Sequence, residues 1–300
     1  MEKVSVYPYI HSFKADNNSI VNRTAIQSVS TNSALANNAA TDVLSLRSKK
    51  EIYMDRLNQL FPNGGIDKLY NDINKDFNID YPADLKFYAG DDGVMAGGFT
   101  FSKNEISFSL SDLLDFDTKI VGVKNGKKIT LTSPSCMLPL FIDKKSAEEF
   151  IQIHSKNGNL GFDELIVEPL TDDDRRQYIT QKVAHEVIHA QQHMIMRQTK
   201  GIGTKEILKA WTHQKPKNMI EKTLLDIQTM NAYNNSYWAN IEENQPIIDK
   251  ESSSGVLANV WLEAIRNYPR VDSPEYVKNP IEVDAYIRSA KYARNIYEKY

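Results

Sequence analysis

The five residues HEVIH at positions 185–189 stand within a segment, 171–201, that has the pattern of one long helix. Residues four apart lie on the same face of an α-helix, so His185 and His189 can direct both imidazoles at one metal ion. In this spacing the carboxylate of Glu186 reaches a water molecule on the metal rather than the metal itself. The stretch therefore predicts a metal-binding helix with an acid placed to act as a base.

The ends of this helix are marked by residue types that start and stop helices. Thr171 is a suitable N-cap with Asp174 three residues later, further acids fill the first turn, and Gly201 can end the helix. The apolar residues recur at intervals of three and four, and they are Ile179, Val183, Val187, Ala190 and Met194. We expect this apolar side to pack against a core while His185 and His189 occupy an adjoining face.

The two histidines do not complete a metal site, because a catalytic zinc normally takes three protein ligands. His193 continues the helical spacing, but a third ligand from one straight helix cannot close a tetrahedron around the same ion. We therefore expect His193 to be a solvated surface residue or to support the ligands from behind. Ile195 stands where the three-histidine form of the motif has its last histidine, so the remaining common ligand is a carboxylate from a later helix.

Glu282 is the best candidate for that carboxylate. Asn279 and Pro280 form an N-cap and first-turn pair, so Glu282 falls in the first turn of a predicted helix, and the small Ala285 permits close approach to the metal helix. The alternative is that Glu282 and Asp284 only complement the helix dipole. The reserve candidates for the third ligand are Glu242, Glu243 and Glu263.

The composition indicates a globular chain without a strong charge. Its 300 residues are 41% hydrophobic and 25% charged with a formal net charge of -3, so neither nucleic acid nor an anionic membrane would attract it. No apolar run approaches the about 18 residues of a spanning helix, and residues 1–10 lack the features of a signal peptide. A lone Cys136 excludes an intrachain disulfide and fits a reducing compartment. We expect a soluble protein, cytoplasmic by default, with non-classical secretion and the oligomeric state left open.

Three segments differ in their pattern along the chain. Residues 1–47 are rich in Asn, Ser, Ala and Thr, and we predict a flexible leader there. Residues 48–201 alternate short helices and strands and end in the metal-binding helix, whereas residues 202–300 show apolar residues at helical spacing. The predicted fold class is α+β, with a small mixed sheet packed on the motif helix and a mostly helical half that carries the third ligand.

The strands of the middle region should form a small sheet. The strand-like runs cover residues 87–88, 95–101, 106–110, 120–123, 128–131, 137–142 and 162–167. Asn125-Gly126 between two of these runs is a strong hairpin signal. Gly97-Gly98 indicates either a bulge or a close backbone approach.

Two motifs together, HEVIH at 185–189 and EVDA at 282–285, resemble those of the zincin metallopeptidases. The closer likeness is to the gluzincins, in which the third ligand is a glutamate. The resemblance implies a zinc cofactor (Zn²⁺), a peptide or protein substrate bound along the sheet edge, and hydrolysis of peptide bonds with Glu186 as base and then acid. The zinc ligands that it implies are His185, His189 and Glu282.

This chain departs from the gluzincin pattern at two points. Tyr286 stands where the family often has an acid that orients a histidine ligand, and the separation between His189 and Glu282 is long. Two other interpretations stay open: a zincin-shaped binding or structural protein whose metal joins its halves, and a zinc hydrolase that acts on a bond other than the peptide bond. The conceivable donors to a developing oxyanion are Tyr276, Tyr286, Tyr292, Arg288 and His213.

Overall fold

The computed structural model describes residues 47–90, 97–131, 140–156, 158–241, 247–270 and 273–299. Within these ranges the chain is a mixture of α-helices and short β-strands, which is the α+β class that the sequence predicts. The leader predicted for residues 1–47 lies outside them except for its last residue, and so do Cys136, Glu242 and Glu243.

The strands precede one long helix, α5, and the elements named after it are helices. The helices are α1 (Lys49–Leu60), α2 (Gly65–Asp76), α3 (Leu110–Leu114), α4 (Lys144–Ser155), α5 (Asp172–Gln198), α6 (Thr204–Trp211), α7 (Met219–Asn234), α8 (Ser253–Arg266) and α9 (Pro280–Ile296). The strands are β1 (Asp84–Tyr88), β2 (Gly97–Thr100), β3 (Glu105–Ser109), β4 (Thr118–Lys124), β5 (Lys127–Thr130), β6 (Leu140–Phe141) and β7 (Glu164–Pro169).

The helix α5 is the one predicted from the HEVIH motif. The side chain of Thr171 accepts a hydrogen bond from the amide of Asp174, and the Asp174 carboxylate accepts one from the amide of Thr171, so the predicted cap is present. The helix ends at Gln198, and Gly201 just beyond it has a φ of 89°, a left-handed conformation that suits glycine. More than half of its 27 residues are buried, so neighbouring elements hold α5 on most of its sides.

Strands β1, β3 and β2 form a three-stranded sheet in that order, with β1 parallel and β2 antiparallel to β3. Its buried side chains share one core with α1, α2 and the first half of α5. Fully buried members of this core include Leu57, Ile73, Phe108 and Val183. A small mixed sheet thus packs on the motif helix, as the sequence predicts, and β2 lies at its edge.

The remaining strands form a second sheet, which the strand pattern does not predict as separate. The helix α3 follows β3 directly, because the side chain of Ser109 caps it at the amide of Asp112, and the chain turns there before β4. Strand β4 then pairs antiparallel with β5, β6 and β7. Ile120, Ala147 and Leu165 form a core of their own with α4, distinct from the core around α5.

After α5, the helices α6, α8 and α9 pack against it. Trp238 and Trp261 are buried in the core of this region. The helix α9 begins at Pro280 after the N-cap Asn279 and packs along α5 more extensively than any other pair of described elements does. Ala285 is fully buried and allows the two helices to approach. Among the described residues, no helix combines the length and apolar character needed to cross a membrane.

Candidate metal centre

The contact between α5 and α9 brings the three predicted ligands together. Nε2 of His185 lies 3.0 Å from Nε2 of His189, because the two residues are one helical turn apart on the same face. The carboxylate oxygens of Glu282 lie 3.3 Å from Nε2 of His185 and 3.4 Å from Nε2 of His189. One ligand atom from each residue lies within 4.8 Å of the other two, and all three residues are buried.

This set of donors fits a divalent cation of the zinc type. Two imidazoles and one carboxylate form one of the common ligand sets of catalytic zinc, which leave a fourth position open for water. Oε2 of Glu282 is buried and accepts no hydrogen bond from the described residues. Its lone pairs are therefore available to an ion, and a cation bound here would satisfy a charged oxygen that its protein neighbours do not.

The charges within the cluster depend on each other. Burial alone would raise the pKa of Glu282, but His189 and His185 beside it hold that pKa well below its usual value. Burial alone would lower the pKa of His189, but the negative charge of Glu282 outweighs burial and raises that pKa to about 9. At neutral pH His189 therefore carries a proton beside the ionised Glu282, and a cation that binds here must displace it.

Gln192 fixes which nitrogen of His189 faces the cluster. Its Nε2 donates to the backbone oxygen of Ile281 and to Oδ2 of Asp284, both at 2.9 Å. Because these two oxygens accept hydrogen bonds, the amide turns Oε1 toward Nδ1 of His189, 2.8 Å away. Nδ1 therefore keeps its proton when the ring is neutral, and Nε2 is the nitrogen left to bind a metal.

Asp284 thus helps to orient His189 without touching it. In the gluzincin pattern the orienting acid stands at the position of Tyr286, whereas here Asp284 acts through Gln192. Arg288 pairs with the same carboxylate at 3.2 Å. The interpretation of Glu282 and Asp284 as mere dipole-complementing acids is therefore incomplete, because both side chains make specific contacts with α5.

Glu186 lies next to the edge strand of the first sheet and is 7% exposed. A Cβ atom placed on Gly97 of β2 would lie 3.7 Å from Oε1 of Glu186 and 2.8 Å from the ring of Phe108. Glycine therefore permits β2 to pass this close to the ring of Phe108, whereas the distance to Glu186 is an ordinary contact. The pairing of β2 with β3 runs without interruption, so the predicted alternative of a bulge is wrong. The close approach is present at Gly97 alone, because a Cβ atom on Gly98 would have no neighbour within 4 Å.

Three tyrosines surround Glu282 and His185. The hydroxyl of Tyr268 donates a hydrogen bond to Oε1 of Glu282, and the ring of Tyr286 packs against that of His185 with centroids 4.4 Å apart. Tyr276 packs edge-on against Tyr268. Burial, reinforced by the charge of Glu282, raises the pKa of all three phenols. They consequently stay protonated and can donate hydrogen bonds.

Tyr276 and Tyr286 are among the oxyanion donors that the sequence suggests, but Tyr268 is not. Tyr268 comes just after α8 and before Pro269, a position whose pattern marks only the end of a helix. No spacing in the sequence links it to Glu282, because their contact depends on how α8 packs against α9.

The other described residues that the sequence suggests as oxyanion donors or as the third ligand have different partners. These pairs are Tyr292 with Asp76, Arg288 with Asp284, His213 with Trp211, and Glu263 with Arg266. Within the part of the chain that the structure describes, His185, His189 and Glu282 are the one group of three metal-ligating side chains whose ligand atoms converge.

His193 is a core residue, and the expectation of a solvated surface position is wrong. It is 2% exposed, and its ring stacks on those of Phe101 and Trp211. Nδ1 donates to the backbone oxygen of His189 at 2.8 Å, and Nε2 accepts from Nε1 of Trp211 at 3.2 Å. Burial lowers the pKa of His193 to about 3, so the neutral ring supports the helical turn that carries His189.

Comparisons of this chain with protein-family models, with curated proteins and with solved structures find no match. Any function assigned to the chain therefore has to follow from the cluster and its surroundings. The arrangement can hold one cation between three buried side chains, with a carboxylate and several phenolic hydroxyls close by.

Proposed function

We propose that this protein is a zinc-dependent metallopeptidase of the gluzincin type. The observation that carries the proposal is the convergence of His185, His189 and Glu282, with Glu186 next to His185 on the same helix. A purely structural zinc site has no need of a general base and usually closes its fourth position with a protein ligand. The described residues bring three such ligands together, not four, and this favours a catalytic site.

The residues of the site divide the chemistry among them. A bound zinc ion would lower the pKa of a water molecule and polarise the substrate carbonyl. Glu186 accepts a proton from the attacking water and then returns a proton to the leaving nitrogen. Tyr286 is the phenol left to donate to the developing oxyanion, because the hydroxyl of Tyr268 is committed to Glu282 and that of Tyr276 is hydrogen-bonded to Tyr268.

The edge strand β2 is the surface on which a peptide would bind. Among the described residues it pairs with β3 and with no second strand. An extended peptide can add to such an edge through backbone hydrogen bonds, and the resemblance to gluzincins implies the same mode. Because Gly97 of β2 lies beside Glu186, a peptide bound there would pass close to the base.

The test combines metal analysis with peptide hydrolysis on forms of the full chain. We expect the unmodified protein to hold about one zinc ion per chain and to cleave peptides. Glu186→Gln should keep zinc and lose activity by about 10²–10⁴-fold, the usual contribution of a positioned base. His185→Ala should lose the zinc itself.

Glu263→Gln is the matched control, because it neutralises an exposed glutamate that pairs with Arg266. It should change neither the zinc content nor the activity. Bound zinc without cleavage of any member of an unbiased peptide library would favour the rival, a structural or binding protein. Absence of zinc from the unmodified protein at neutral pH would overturn the proposal.

A further inference from the structure

Lys182 lies on α5 one helical turn before Glu186, so the two side chains stand on the same face of the helix. It is half-buried, and its ammonium nitrogen lies 5.8 Å from the centre of the Tyr178 ring. Burial of an ammonium group is unfavourable unless an anion meets it. Lys182 therefore needs an explanation that packing alone does not give.

Acidic groups influence Lys182 from a distance. Burial lowers the pKa of Lys182, and the charges of Glu186, Asp112 and Glu282 oppose this shift. None of these three acids pairs with it, and it has no ion pair with any other residue that the structure describes. The hydroxyl of Tyr178 donates to the backbone oxygen of Asp112 at 3.4 Å, so α3 borders the same region. The ammonium group thus lacks a described anion at contact distance.

Strand β2 and α5 run in the same direction past the cluster. Gly97 at the start of β2 lies beside Glu186, and the ring of Phe99 lies 5.2 Å from that of His193, further along α5. Lys182 precedes Glu186 and so lies toward the Gly97 end of β2. A peptide added antiparallel to β2, which is the commoner pairing, would run toward Lys182 after it passes Glu186.

We propose that Lys182 binds a carboxylate on the substrate residue that directly follows the cleaved bond. The carboxylate belongs either to an Asp or Glu side chain or to the C-terminus of a substrate that ends at this residue. In both cases the ammonium group gains a counter-ion in a half-buried site, where a charged hydrogen bond is stronger than at the surface. This inference rests on the proposed function and adds a substrate class to it, peptides with a negative charge at this position.

The test measures hydrolysis of matched peptide pairs by the full chain loaded with zinc. One pair carries Glu or Gln after the cleaved bond, and the other ends there with a free or an amidated C-terminus. We expect kcat/KM for the charged member of at least one pair to exceed that of its neutral partner by about tenfold. The pair that shows the preference identifies the source of the carboxylate.

Variants at Lys182 assign the preference to this residue. Lys182→Met keeps the aliphatic stem and should bring the ratio of the two rates close to one, and Lys182→Glu should invert it. Lys222→Met removes an exposed charge from α7 and should leave the ratio unchanged. Lys182→Gln replaces Lys182→Met if circular dichroism shows that the methionine variant does not fold.

Equal rates for both members of each pair would overturn the carboxylate site and leave the proposed function standing. A preference that survives in Lys182→Met would overturn it too, because another residue would then bind the carboxylate. If no peptide is cleaved, the proposed function fails and the carboxylate site fails with it. Fluorescence anisotropy of labelled peptides with the zinc-loaded Glu186→Gln variant gives a readout without turnover, in which the charged peptide should bind more tightly than its neutral partner.

Discussion

His185 and His189 lie one turn apart on the same helix, yet different interactions hold their rings. Nδ1 of His189 is fixed by Gln192, whereas Nδ1 of His185 is buried without a hydrogen-bond partner among the described residues. The ring of His185 is instead covered by that of Tyr286. The ring of His189 is therefore oriented by directional hydrogen bonds and that of His185 by packing. Removal of Gln192 and removal of Tyr286, the two supports, should consequently weaken metal binding to different extents.

Both supports depend on α9. Ile281 and Asp284 hold the amide of Gln192, and Tyr286 covers His185 from the next part of the same helix. The helix that supplies Glu282 thus also supplies the groups that orient the two histidines. Docking of α9 on α5 therefore assembles the whole cluster, and the ligands should be lost or retained together.

The largest effect should come from the charge of His189 and its response to pH. With a chelator present, the pKa of His189 is about 9, against an ordinary value of 6.5. Its contribution to the free energy of unfolding is therefore complete below pH 6.5 and is lost as the pH rises through 9. The loss should be on the order of 3 kcal/mol in the free energy of unfolding. The lowered pKa of Glu282 acts in the opposite sense. The contribution of Glu282 to the free energy of unfolding is complete above pH 4.5 and is lost as the pH falls. Urea unfolding across this range measures both.

Added zinc should prevent the loss of stability at alkaline pH. The ion takes the place of the proton on His189 and binds more tightly as the ligands lose their protons. Glu282→Gln is the control, since it removes the charge that raises the pKa of His189 and should flatten the profile measured with chelator. Equal stability of the chelated protein at pH 6.5 and above 9 would contradict a raised pKa at His189.

The next effect tests the hydrogen-bonded support. Gln192→Leu should weaken zinc binding by about 10–100-fold, the usual consequence of removing the partner behind a histidine ligand. It removes the acceptor of the Nδ1 proton and the amide donor that reaches the oxygens of Ile281 and Asp284. Competition with a chromophoric chelator measures the affinity. Gln191→Leu, at the adjacent position, should weaken it far less.

A second readout separates orientation from general loss of packing. Nitrogen NMR of the chelated protein at a pH above 9, where His189 is neutral, reports which ring nitrogen carries the proton. We expect the proton on Nδ1 of His189 in the unmodified chain and a mixture of tautomers in Gln192→Leu. An unchanged tautomer together with unchanged zinc affinity would mean that Gln192 does not orient this ligand.

The parts of this site that can be predicted from the sequence depend on neighbours along the chain. The cap at Thr171 and the spacing of four between the histidines are local patterns. So is the Asn125-Gly126 hairpin between β4 and β5, whose two residues have the left-handed φ of 52° and 71° that such a turn requires. The start of α9 after Asn279 is also a local signal, and it puts Glu282 in the first turn.

The parts that cannot be predicted depend on how distant elements pack. Gln192 reaches Asp284 only because α5 and α9 are rotated so that these side chains meet. Tyr268 reaches Glu282 only because α8 packs against α9. His193 has the spacing of an outward residue, but aromatic side chains from outside α5, such as Phe101 and Trp211, cover it. Neither periodicity nor capping carries that information.

The smallest effect should come from the packing support of His185. Tyr286→Leu removes an aromatic face and should weaken zinc binding only several-fold, because such a contact contributes about 0.5–1.5 kcal/mol beyond the area it buries. Tyr286→Phe keeps the ring and should keep the affinity, so any fall in its kcat would come from the hydroxyl, with Tyr276→Phe as the matched comparison. If Tyr286→Leu weakens zinc binding as much as Gln192→Leu does, packing and hydrogen bonding hold the two ligands equally, and the contrast between His185 and His189 is wrong.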